Sequence, residues 1–275
     1  MAELKRVWRY RPKTKSSTVA IAYWNGKYAL ARDCMEIVEG GELKARICGD
    51  NESSDVSVYK GTFLFGNYDG NVYMVSEEGK LLQKFHVGLP KSIAVTMLAD
   101  GFVTCGEECA LYDVNGNRIW NIKVGYVANG PAYWQGYLFV PDHGKKVSIL
   151  LKDTGMLMMD LPVGSPVYDV ATCDKMLAIA ARGKVALLDI SDMGRIKDIW
   201  IKSGIEKPWN VAFSPDCNYV AFSDAKRGKL RVYSRRGNLI AKESFRSPPW
   251  GVGWGEELVV GLEDGTVEAY ELKAS

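Results

Sequence analysis

Lys207-Pro208-Trp209-Asn210-Val211-Ala212-Phe213 opens a unit that runs on through an apolar strand to Ser223, a turn at Lys226-Arg227-Gly228, the strand Leu230-Arg231-Val232-Tyr233, a turn at Arg236-Gly237 and a strand beginning Leu239-Ile240-Ala241. About forty residues later the same order returns. It reads Pro249-Trp250-Gly251-Val252-Gly253-Trp254, an apolar strand from Leu258 to Leu262, a turn at Asp264-Gly265, and Thr266 to Leu272. Self-similarity at that period, with four short strands per unit, is the signature of a β-propeller blade.

Working outward, turns at Gly40-Gly41, Glu78-Gly79, Asn115-Gly116, Thr154-Gly155, Met193-Gly194 and Arg236-Gly237 recur in phase, because tight hairpins need the positive φ that Gly and Asn adopt cheaply. A second set, from Asp33-Cys34 to Asp264-Gly265, keeps step. The chain therefore reads as one all-β domain over 1–275, a seven-bladed β-propeller of four-stranded antiparallel blades. The blades fall at approximately 17–50, 54–89, 91–125, 126–164, 165–203, 206–247 and 248–275. The last lacks a fourth strand, and residues 1–12, with Leu4 to Tyr10 alternating apolar and basic, are expected to supply it and close the ring.

Net charge is +2 over 275 residues with 47% apolar composition, a balance that singles out no partner. No signal-like or membrane-length apolar run is present, so a cytoplasmic location is expected. Scarce glutamine (Gln83 and Gln135) suggests a thermophile. The six cysteines lack CxxC spacing and only His86 and His143 could complete a metal site, so no metal and no cofactor is expected. Cys105 and Cys109 flank a three-residue turn and face each other, as a disulfide or redox switch or as two small buried apolar side chains.

Thr62-Phe63-Leu64-Phe65-Gly66-Asn67-Tyr68-Asp69-Gly70-Asn71-Val72-Tyr73 resembles the repeat of quinoprotein-like (PQQ-type) propellers, and Lys152-Asp153-Thr154-Gly155 carries the same turn. Phe213-Ser214-Pro215-Asp216, with Tyr233-Ser234 or Tyr270-Glu271 where Trp-Asp usually stands, is similar to a degenerate WD40 repeat; the Gly-His and Trp-Asp dipeptides are absent. The resemblance implies a protein-interaction scaffold or adaptor within a larger assembly. Quinone-dependent dehydrogenases of the wider family have eight blades, a secretion signal and vicinal cysteines, so an oxidoreductase is the least favoured reading and no enzymatic activity is expected. Asp142-His143 reads as a turn dipeptide rather than part of a triad.

Loops entering each blade share a face with the turns between second and third strands. This places Lys91, Tyr168, Lys207, Trp209, Trp250, Lys226 and Arg227 around one mouth as a partner-binding face, unless the tryptophans, Trp254 included, pack between blades. Between Lys202 and Arg246 ten basic residues face four acidic ones. Arg227, Lys229, Arg231, Arg235 and Arg236 are therefore the candidate patch of a second reading, nucleic-acid binding.

Overall fold

A computed structural model describes residues 2–88 and 93–273. Seven four-stranded antiparallel sheets form a ring, and the described residues include no helix and hence none long and apolar enough to cross a membrane. Blade one begins at Ala20–Trp24 and blade seven at Pro249–Trp254. In each blade the first strand lines the central channel and the fourth lies outermost.

Among the described residues the apolar side chains divide into seven buried clusters, and each joins two neighbouring blades. In the second strand of blade two, Phe63 and Phe65 pack against blade one, whereas Leu64 packs against blade three. Both faces of an inner strand are thus buried. Continuous apolar runs result instead of the alternation of a half-solvated sheet. Close approach also excludes side chains: a Cβ on Gly66 would lie 2.0 Å from the Ile93 carbonyl oxygen of the next blade.

The N-terminal strand Glu3–Tyr10 pairs antiparallel with Val267–Lys273 and completes blade seven, as its apolar content predicted. The pairing skips Val7, since Arg6 lies opposite Tyr270 and Trp8 opposite Ala269. That bulge switches the strand's parity. Leu4 consequently enters the core shared with blade six, while Trp8 and Tyr10 enter the core shared with blade one.

Closure is also clasped by Arg32, which is 1% exposed. Its guanidinium donates to the carbonyls of Gly265 (3.2 Å) and Thr14 (2.9 Å) and to Asp33 (3.0 Å), and Glu36 lies 3.5 Å away. Blade one, blade seven and the segment from the N-terminal strand are joined at one buried charge. A carboxylate beside a guanidinium makes such a charge tolerable.

All six cysteines are bonded: Cys34–Cys48, Cys105–Cys109 and Cys173–Cys217. The sequence offered only the middle pair, and there the disulfide holds rather than two separate thiols. Cys34 meets Cys48 because Met35 pairs with Ile47 on adjacent strands. Cys173 ends the first strand of blade five beside the blade-six turn that carries Cys217, so this third bond ties two blades together.

Candidate functional site

The entry loops of blades four to seven and the neighbouring turns build a continuous aromatic arc on one mouth of the channel. Ring centroids run Tyr126–His143 4.8 Å, His143–Tyr168 5.3 Å, Tyr168–Trp209 5.7 Å and Trp209–Trp250 5.0 Å, the last pair nearly perpendicular at 77°. The Lys207 ammonium lies 4.4 Å from the Trp250 ring centre and 5.6 Å from that of Trp209. An ammonium held at this range over an indole face is a cation–π contact.

The backbone beneath the arc is fixed from inside the channel. Asn129 donates to the carbonyls of both Tyr168 (2.7 Å) and Trp209 (3.1 Å), and Ser223 donates to that of Trp250 (2.9 Å). One buried amide thereby spans blades four, five and six. Asp169 accepts from the Asn210 amide (2.8 Å) and the Val211 N–H (2.9 Å), and Asn210 accepts from the Val252 N–H (3.0 Å). Asp55 accepts from the N–H groups of Val56, Val95 and Gly130, each at 2.9 Å. Burial pushes the Asp55 carboxyl up to about 7 despite those three donors, and burial also raises Asp169, with the Asp55 charge adding to it. Such links between blades hold the channel rim in one shape. A channel cavity of about 510 Å³ lies between the first strands, its wall including both Asp55 and Asp169.

The structure brings Tyr168, Lys207, Trp209 and Trp250 together, as the repeat phase predicted. Trp254 instead packs between blades six and seven, its ring 6.4 Å from that of Tyr219. Lys226 and Arg227 stand on the adjoining blade-six turn and hold Glu206 at 2.6 Å and 3.0 Å. Lys91 lies outside the described residues. Tyr126, Arg182 and Asn129 belong to the arc although the sequence did not single them out. Their signal was positional, since each occupies a loop or turn in phase with one already chosen.

The basic residues of blade six are dispersed. Arg231 is turned inward onto the buried Asp224 carboxylate at 3.0 Å. Arg235 and Arg236 follow the strand Lys229–Ser234, whose six residues separate them from Arg227 and Lys229 by about 20 Å. Asp142 does not orient His143: its carboxylate accepts from the N–H groups of Gly144 (2.6 Å) and Gly125 (3.2 Å). Burial lowers the His143 pKa, outweighing the Asp142 charge that raises it, and nearby Arg182 lowers it further. The imidazole is therefore neutral near pH 7 and serves as a ring in the arc. Among the described residues no three His, Cys, Asp or Glu side chains group as metal ligands would.

No family model and no curated protein sequence matches this chain. Its fold is similar to that of the computationally designed Ika8 protein, seen in a crystal structure in P63, with a TM-score of 0.73 at 15% identity over 98% of this chain and 100% of that one. At that identity the likeness shows the architecture alone.

Proposed function

We propose that this propeller is a non-enzymatic interaction scaffold that binds a protein partner through the mouth carrying Tyr126, Tyr168, Trp209 and Trp250. The observation that supports the reading is the arc itself, in which an exposed Tyr126 and the half-buried Trp209 and Trp250 are in line with the buried Tyr168, and the last three are anchored through their own carbonyls by Asn129 and Ser223. Rigid aromatic side chains bury area on binding with little entropic cost, which is what a hot spot requires. Nucleic-acid binding through blade six is the weaker reading, because Arg227 and Arg231 already hold carboxylates and the remaining cations lie at opposite ends of a strand.

Affinity purification of the tagged chain from its native cell, beside a Trp209→Ala/Trp250→Ala variant, tests the scaffold reading. Stoichiometric proteins present with the native chain and lost from a folded variant are the expected result. Partners unchanged by the double substitution, or nuclease-sensitive nucleic acid as the only companion, would overturn it.

The three disulfides bear on location. They require an oxidising compartment or a cytoplasm that retains disulfides, as in hyperthermophiles. A cytoplasmic protein of a thermophile satisfies this condition, and it remains the reading we propose.

A further inference from the structure

The rim of the mouth is uneven in sign. Over blades four to six it presents Lys145, Arg182, Lys207, Lys226 and Arg227 with Glu206, while on the loops and turns of blades two and seven Glu52, Glu263 and Asp264 are exposed, with Lys15 in the groove shared by Glu52 and Trp250 and Arg246 beside Asp264. On the basic side Lys226 and Arg227 share Glu206. Lys207 and Arg182 have no carboxylate partner among the described residues. Arg182 donates from Nε to the Tyr168 hydroxyl at 3.1 Å, which leaves its terminal nitrogens directed elsewhere. Lys207 rests on two indole faces, and a ring face accepts no conventional hydrogen bond from all three of its N–H groups. Two immobilised cations rich in donors thus flank the Tyr168, Trp209 and Trp250 rings. Around Lys207 and Arg182 the groups missing are acceptors.

Resting on the scaffold reading above, we infer that the arc binds an acidic segment of a partner protein, its carboxylates taken by Lys207 and Arg182 and an apolar side chain laid against Trp209 and Trp250. Charge complementarity selects the sign, and the acidic half of the rim limits the length. A continuous phosphodiester chain crossing the mouth would run onto Glu52, Glu263 and Asp264, whereas a short acidic stretch is accommodated within the basic half. The indole corner contributes by fixing the lysine stem, so that little rotamer entropy remains to be lost when a carboxylate docks.

The test uses the full chain and a fluorescein-labelled Glu-Glu-Phe-Glu-Glu peptide, read by anisotropy and by indole emission. A Lys-Lys-Phe-Lys-Lys peptide, oligo(dT) and succinate serve as comparators. The acidic peptide is expected to bind and the basic one not, with affinity falling as salt rises. Lys207→Met keeps the packing of the stem and removes the charge; it and Arg182→Gln should each weaken binding by about tenfold, as expected of one lost charge pair. Arg235→Glu, beyond the far end of the Lys229–Ser234 strand, should leave binding unchanged. Failure of the acidic peptide to bind, or binding indifferent to both arc substitutions, would sink the inference. Tighter binding of oligo(dT) would overturn it in favour of nucleic acid, and displacement by equimolar succinate would overturn it in favour of a small dicarboxylate. If native partners are lost with Trp209→Ala/Trp250→Ala but kept with Lys207→Met, the acidic-segment inference fails and the scaffold reading stands.

Discussion

Asp55 shows at the residue scale how a buried acid can organise a channel. Its three N–H donors come from its own strand and from blades three and four, yet burial outweighs them and raises its pKa to about 7. A carboxyl whose folded pKa lies above its unfolded value near 3.9 stabilises the fold fully below that lower value, and the contribution is lost as pH rises through the folded value. Urea midpoints should accordingly fall between about pH 4 and about pH 7, by an amount on the order of a few kcal/mol in stability. In Asp55→Asn the slope over this window should flatten, with Asp169, raised in the same direction, supplying what remains. An unchanged slope would show that Asp55 stays ionised throughout. Arg32 makes the complementary point, since a charge so deeply buried was invisible in a sequence where it is one basic residue among many.

Single elements carry two devices that repeat counting does not reveal. The Val7 bulge lets Leu4 and Tyr10, an even number of residues apart, face opposite blades. Deleting Val7 would leave regular pairing with both orientations intact, so the variant should lose little stability. Deleting Lys5 would turn Leu4 away from blade six and should cost about 1.5–3 kcal/mol for the burial lost. Equal thermal shifts for the two deletions would refute this account of the bulge. The disulfides differ by the chain they enclose: Cys173–Cys217 spans 44 residues and Cys105–Cys109 only 4. Replacing both cysteines of a pair by Ala should therefore cost about 4 kcal/mol for the first and about 2 kcal/mol for the second. Chemical denaturation of the two variants gives the comparison, and a reversed order would mean that native packing rather than chain entropy dominates.

For the whole molecule, stability is distributed over seven interfaces closed into a ring, and removing the closing strand should break more than one of them. A chain lacking residues 1–11 would expose the Val267–Lys273 edge, leave Glu268 without Arg6 and Arg9, and lose the Leu4 and Tyr10 contacts on both sides. It should associate through that open edge in size-exclusion chromatography, and a synthetic peptide of the missing strand should return it to a monomer. A truncated chain that stays monomeric and melts like the parent would contradict the closure mechanism.

What the sequence determined alone is the architecture, because propeller blades are local: apart from the closing N-terminal strand, each strand pairs with a neighbour in the chain, and the turns that set the phase are written in Gly, Asn and Asp. The unpaired seventh blade and the apolar residues of the N-terminal segment made even the ring closure legible. The repeat phase likewise placed Tyr168, Lys207, Trp209 and Trp250 on one mouth. Tertiary structure decided whatever depends on residues separated by whole blades, such as the hydrogen bonds from Asn129 to blades five and six, the clasp at Arg32 and the bond between Cys173 and Cys217. It also decided which cations of blade six face outward and which, like Arg231, are neutralised inside. Repeat periodicity specifies where a residue sits within its blade, but partners across the ring follow from the angle and spacing between blades, which seven packed cores set together.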